Sequence, residues 1–238
     1  PGTLANNFWP AFGNTLFFTL VTVLLETILG IGMALVMAKD FHGRGLLRAA
    51  VLVPWAIPTA ITAKLWAFLF SEQGIVNSIF HAHVAWQTDP WAARFSIILA
   101  DVWKTTPFMA LLILAGLQMI PKDLYEAARM DGANAWQRFT RITLPLAKNS
   151  IIVAVLFRML DALRMYDLPY IMVGPNPDSP TATLSQLVVA AIRQDHVNAA
   201  SALSTLIFLL IFLIALCFVK SLGSKVAHQA EPVVAEEE

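Results

Sequence analysis

The sequence predicts an all-α, polytopic transmembrane helix bundle, and three observations carry that expectation. Of the 238 residues, 58% are hydrophobic and only 13% are charged, where a soluble domain carries about a quarter charged residues. The apolar residues are gathered into runs long enough to cross a bilayer. Between two of those runs lies a polar, basic island at residues 121–148, and an island of that size on an otherwise apolar chain needs something to dock against.

A helix needs roughly 20 mostly apolar residues to cross the hydrocarbon core. Five stretches qualify: 14–38, 46–70, 96–119, 150–172 and 201–220. The run 183–192 is apolar but too short to cross, which marks a re-entrant or interfacial helix. Pro54, Pro58 and Pro107 are expected to bend their helices, which is tolerated where neighbours satisfy the freed carbonyls. Basic residues set the orientation. Lys39, Arg44 and Arg48 follow span one; Lys122, Arg129, Arg138, Arg141 and Lys148 follow span three; Lys220 and Lys225 follow span five. The opposite segments offer only Arg94 and Arg193. The island and the C-terminus are therefore expected in the cytoplasm and Pro1 outside.

The outer segment 71–94 contains Trp86 and Trp91, which suit a membrane interface. Gly174-Pro175-Asn176-Pro177 and Pro180 mark a rigid loop after span four. The spans and island make one domain, 1–222, and 223–238 reads as a polar tail, disordered from Ala227 onward. The chain opens on Pro1, without a basic n-region and cleavage site, so it reads as a fragment that has lost an N-terminal piece. No internal repeat is found.

Several function classes are excluded. A net charge of zero argues against nucleic acid. The single cysteine, Cys217, lies in an apolar run, so neither a disulfide framework nor a thiolate metal site is available. His81-x-His83 would place two imidazoles on one side of an outer strand, but without a carboxylate partner such a pair seldom holds a metal. No phosphate-cradling Gly-x-x-x-x-Gly-Lys-Ser/Thr run occurs, so ATP is not bound by this chain. No cofactor, metal or catalytic residue is assigned.

Within the island, Pro121 and Asp123 look like a helix start, with Asp123 able to cap free amides or favour the helix dipole. Leu124, Ala127 and Ala128 give a narrow face of small residues. Gly132 falls where a helix ends in a left-handed residue, and Asp131 can bond around that turn. A second helix restarts over 135–142, with Trp136, Phe139 and Ile142 on one side and Arg138 and Arg141 exposed, and Leu144-Pro145 stops it. The alternative is one amphipathic helix resting on lipid headgroups; the glycine break argues against it.

The run Glu126-Ala127-Ala128, then Asp131-Gly132-Ala133, then Ile142, Leu144 and Pro145 resembles the EAA loop of ABC-importer permeases. The resemblance implies that Glu126, Ala127, Ala128, Arg129, Asp131, Gly132 and Ala133 form a coupling helix that docks in a cleft of a cytoplasmic ATPase. Asn14-Thr15, Pro54 and Pro58, Trp103 with Pro107-Phe108, and Tyr166-Asp167-Leu168-Pro169-Tyr170 before Gly174-Pro175 are similar to the carbohydrate-uptake branch. Within it the chain resembles maltose-type permeases, closest to the actinobacterial trehalose permease subunit. This implies a type I ABC-importer permease fold, with five spans present and the first of six core helices missing. It implies a binding-protein-dependent permease subunit in a bacterial inner membrane, moving a small sugar, a disaccharide such as trehalose or maltose. The implied partners are a second homologous permease, two ATPase subunits that bind ATP and Mg and do the hydrolysis, and an extracytoplasmic sugar-binding protein.

Ionisable residues inside spans are costly and face a cavity or a partner. Here they are Glu26, Lys64, Asp101, Lys104, Arg158, Asp161, Arg164 and Asp167. Arg158, Asp161 and Arg164 follow at intervals of three, so they share a helix face. One reading is structural glue between helices, with Lys64 a partner for Glu26. The other is a polar sugar path of Trp103, Lys104, Thr105, Phe108, Arg158, Asp161, Arg164 and Tyr166, where charges bind hydroxyls and rings stack on C–H faces. The resemblance places the sugar site in these two spans. The rival function is a proton-coupled secondary transporter of a small polar solute, using Glu26 or the span-four charges. An intramembrane enzyme is disfavoured, since no paired catalytic groups lie at one depth.

Overall fold

Inside a bilayer each backbone N–H and C=O must find a partner within the protein, which leaves helices as the way for apolar runs such as these to cross. The computed structural model describes residues 2–81 and 83–229. Its elements are α1 (Gly2–Ala38), α2 (Arg44–Ala56), α3 (Thr59–Leu69), α4 (Ile75–Phe80), α5 (Pro90–Gln118), α6 (Lys122–Met130), α7 (Ala135–Arg138), a π turn (Phe139–Thr143), α8 (Leu144–Ala162), α9 (Asp167–Met172), α10 (Leu184–Arg193) and α11 (Val197–Gln229). No strand occurs among the described residues. Pro1 and residues 230–238 lie outside them, so neither the placement of Pro1 nor the end of the tail is tested; residues 223–229 continue α11.

The centre is α5, packed on α1, α2 and α8. Of its best apolar window 67% is buried, against 0% for the window of α11. The first is thus the hub and the second a peripheral helix whose Leu206, Phe208, Phe212 and Leu213 face outward. Three apolar clusters hold the described bundle, two of them along α1 and α5. Phe18, Ala63, Phe70, Ile97, Ala100 and Met172 belong to one, and Ala34, Met37, Met109, Ile113 and Ala154 to the other. Along α1, α5 and α8 a polar layer separates them. Gly116 lets α5 and α8 approach so closely that a Cβ there would lie 2.2 Å from Ser150 Oγ.

Several expected boundaries shift. Span one starts earlier: its apolar stretch Asn6–Ala38 has 33 residues, about 50 Å of helix. Span three starts at Pro90 because Asp89 caps it, accepting from Trp91 N at 3.0 Å and Ala92 N at 2.8 Å. Span five likewise starts early, at Val197.

Span two is not one helix. α2 and α3 meet at 88°, because Pro58 forces Ile57 into an extended conformation, ψ 132. Of the other two prolines expected to bend helices, Pro54 lies inside α2 and Pro107 inside α5, and neither helix is interrupted. Span four also ends sooner than expected. α8 stops at Ala162, and α9 is a separate short helix after a break at residues 163–166.

At its other end α8 runs unbroken from the island, so Leu144-Pro145 does not stop the second helix. A proline ring clashes with the carbonyl four residues back in an α-helix. Here the preceding turn widens to the π form, with Leu144 N bonded to Phe139 O. That wider turn accommodates Pro145 and keeps 135–162 one helical span.

Segment 71–94 differs as well. His81 caps α4 at φ 49 and no strand carries His83, while Ala82 lies outside the described residues. Trp86 is half-buried within the protein: its Nε1 donates to Asn77 Oδ1 at 2.8 Å, and its ring lies 4.8 Å from that of Phe70. Trp91 is exposed. The short apolar run 183–192 does form the helix α10. It is pinned to α1 by Asn14 Nδ2, which donates to Ala182 O at 2.9 Å, and by Leu184 N, which donates to Thr15 Oγ1 at 3.0 Å.

Candidate functional site

The polar layer is built around one guanidinium. Arg158 sits on α8 with only 2% of its side chain exposed. Its Nε donates to Glu26 Oε2 on α1 at 2.6 Å, and its Nη1 to Asp161 Oδ2 at 3.0 Å. Nη2 pairs with Asp101 Oδ2 on α5. Thr105 Oγ1 lies 2.6 Å from Glu26 Oε1 and 2.6 Å from the Asp101 carbonyl, sharing its proton between them. A buried charge needs a partner and satisfied hydrogen bonds, and this cluster supplies both while tying three helices together. Glu26 is therefore paired with Arg158 and not with Lys64, which is exposed.

Beside the cluster, Lys104 Nζ donates to Ile57 O at 2.6 Å and to Trp55 O at 3.3 Å. These are carbonyls freed at the α2–α3 elbow, where the helix ladder ends. Lys104 thus clasps the elbow to α5.

A cavity of about 150 Å³ opens against this layer, lined by Lys104, Thr105, Arg158, Asp161, Arg164 and Tyr166 among others. Six of the eight expected path residues thus meet in one place. Trp103 and Phe108 do not: Trp103 packs edge-on against Trp66 at 5.7 Å and Phe108 stacks on Trp55 at 5.7 Å. Nor do the three span-four charges form one paired face. α8 ends before Arg164, which is exposed, while Asp161 keeps 65% of its side chain accessible. Thr59 and Asp167 also line the cavity. Thr59 enters because the elbow carries it inward, which no apolar pattern announces. At the mouth the Tyr166 and Tyr170 rings stack at 4.9 Å, with Arg193 5.1 Å from the Tyr170 ring centre.

The island forms a helix, a glycine turn and a second helix. No side chain of α6 is buried, and Glu126, Ala127 and Arg129 are exposed. Gly132 is left-handed at φ 78. Ala133 N donates to Ala128 O at 2.9 Å and Gly132 N to Arg129 O at 3.0 Å, the double closure of a helix ending in a left-handed residue. Asp123 makes no capping bond and acts only through its place in the first turn; Asp131 shows no side-chain bond either. Asn134 and Gln137 form a reciprocal capping box at 2.8 and 2.9 Å that opens α7. Trp136 lies beside Phe139 at 5.6 Å, and Arg141 is exposed. Arg138 is not fully exposed: its Nη1 donates to Ala133 O at 2.5 Å. Tyr125 OH lies 3.0 Å from Thr143 Oγ1, which joins α6 directly to the π turn.

A multi-span bundle with a charged layer at its middle and a largely exposed helix at one end has the form of a membrane permease. Residues 26–228 match the model of the binding-protein-dependent transport system inner membrane components, and the chain belongs to that family. It is 44% identical over 221 residues to the trehalose/maltose transport system permease protein MalF of Thermococcus litoralis, covering 91% of this chain and 75% of that one. It is 39% identical over 218 residues to the trehalose transport system permease protein SugA of Mycobacterium tuberculosis, covering 91% and 70%. A crystal structure of a bacterial alginate ABC transporter, in complex with an alginate pentasaccharide-bound periplasmic protein, superposes with a TM-score of 0.79. That structure is 26% identical and covers 89% of this chain and 77% of its own. The fold is that of a type I ABC-importer permease, and the chain is a permease subunit and not the ATP-hydrolysing component of its system.

Proposed function

We propose that this chain forms half of the path of a disaccharide importer for trehalose or maltose, beside a second, homologous permease. The observation that carries the reading is the 44% identity, over 91% of the chain, to a trehalose/maltose permease. The cavity supports it chemically: it offers carboxylates, cations, hydroxyls and a tyrosine ring, which suit a polyol with C–H faces. At about 150 Å³ it is smaller than the roughly 300–1,000 Å³ of a complete small-molecule site. The rest of the site would come from the second permease or from opening of the elbow.

In this reading the island and the C-terminus face the cytoplasm, as the basic residues require, and an extracytoplasmic sugar-binding protein delivers substrate to the other side. Two ATPase subunits, which hold the ATP and Mg, receive α6 and the Gly132 turn through Glu126, Ala127, Ala128, Arg129, Asp131 and Ala133. Displacement of α6 passes through Tyr125 to Thr143, and α8 carries it about 22 Å, at 1.5 Å per residue, to Arg158 at the cavity wall. ATP then biases a bundle with two arrangements. Family membership disfavours the proton-coupled alternative. Co-purification of the importer with its partners, followed by binding-protein-dependent ATPase assays across a disaccharide panel, tests the proposal. Stimulation by trehalose or maltose is expected; stimulation by none of the panel would refute it.

A further inference from the structure

A second cavity, of about 830 Å³, lies at the island end of the bundle, between the end of α1, the start of α2, the end of α5 and α6. We propose that it is a binding site for an anionic phospholipid headgroup. Five cations line it, Lys39, Arg44, Arg48, Lys122 and Arg129, against two carboxylates, Asp40 and Glu126. Asp40 is already engaged by Lys122, at 3.2 Å, and by Arg44. Those two cations, the Lys122 hydrogen bond first, hold its carboxyl below the usual carboxylate range. Lys39, Arg48 and Arg129 make no ion pair among the described residues. Arg48 donates from Nη2 to Met37 O at 2.7 Å, but its Nε is buried without a partner.

The inner wall is apolar, made by Leu35, Ala38, Leu117 and Ile120. Ala38 and Gln118 are the last residues of α1 and α5, so the groove lies where the apolar spans end and headgroups begin. Its surroundings expose Met119, at 82%, and Leu46, at 78%, as a surface in contact with acyl chains would. A cationic floor beside an apolar wall at that depth matches the two ends of an anionic lipid, which basic pockets between spans bind at this leaflet. A phospholipid there would sit against Tyr125 and Glu126 of α6 and so adjoin the element proposed to meet the ATPase.

The test is native mass spectrometry of the intact importer in detergent, titrated with phosphatidylglycerol and phosphatidylcholine of equal chain length. Wild type is expected to retain phosphatidylglycerol preferentially, and Arg48→Gln and Lys39→Gln each to lose about five-fold of that preference, the factor for one cation near a lipid surface. Lys39 makes no side-chain bond among the described residues that its loss would break, so its variant decides the matter should Arg48→Gln fail to assemble. Equal retention of the two lipids, or an unchanged preference in Lys39→Gln, would overturn the proposal. So would displacement of phosphatidylglycerol by millimolar inorganic phosphate, which would make this a free-anion site. Cross-linking of the ATPase to the Lys39→Cys variant in place of lipid would also overturn it, by showing a protein occupant.

Discussion

Replacing Arg158 with methionine removes the cation that three helices share. Glu26 has 0% and Asp101 7% of its side chain exposed, so both carboxylates would remain buried without their partner. Breaking a buried pair by removing one side costs about 3–5 kcal/mol. The two pairs share one guanidinium, so that range is counted once and not doubled. For a chain of this size 1 kcal/mol moves the melting temperature by about 2–4 °C, so the loss should be about 6–20 °C. The assay is thermal unfolding of the intact importer in detergent, followed by tryptophan fluorescence. Neutralising all three groups, in Glu26→Gln/Asp101→Asn/Arg158→Met, should recover at least half of the loss, because no charge is then left stranded. An Arg158→Met importer that melts within 2 °C of wild type, or a triple variant no more stable than the single one, would refute the reasoning.

Gly132→Glu meets open space around its Cβ but must hold φ 78, a strain of about 1–2 kcal/mol confined to the turn. Transport should collapse while the bundle melts near the wild-type temperature; unchanged transport would count against the coupling role. Asp161→Ala is expected to reduce sugar-stimulated transport more than basal ATP hydrolysis, and equal loss of both would assign Asp161 to packing alone. Tyr125→Phe removes the bond to Thr143, worth about 0.5–1.5 kcal/mol, and should raise the ATP consumed per sugar moved; an unchanged ratio would place transmission elsewhere. Gly116→Ala drives a Cβ to within 2.4 Å of Ser150 Cβ and should cost about 1–3 kcal/mol through overpacking, measurable by the same melt. Adding Ser150→Gly should restore the loss, and a lack of rescue would show that α5 and α8 do not meet at that point.

Much of this was legible in the sequence where chemistry is local. Apolar runs announce spans whatever their neighbours, and Gly132 between two short polar helices announces a left-handed turn. What was illegible arises between elements. The apolar pattern passes through Ile57 without change, so only the proline hints at an elbow of 88°. Leu144-Pro145 reads as a stop because a proline ring cannot follow an α-turn, whereas a π turn accepts it. The buried charges were recognised one by one, but spacing cannot say that Glu26 on α1 meets Arg158 on α8, 132 residues away. Trp103 and Phe108 suit a sugar path as ring platforms, yet side-chain type does not reveal which way a helix turns, and both pack against neighbouring tryptophans instead, Trp103 edge-on and Phe108 stacked.

Uptake of labelled trehalose and maltose into proteoliposomes tests whether this chain moves a sugar only when its partners hydrolyse ATP. The proteoliposomes would carry the reconstituted importer with ATP inside and binding protein outside. Uptake is expected to require both ATP and binding protein and to be lost in Gly132→Glu. Uptake by the subunit without its ATPases, driven by a pH gradient alone, would contradict this expectation.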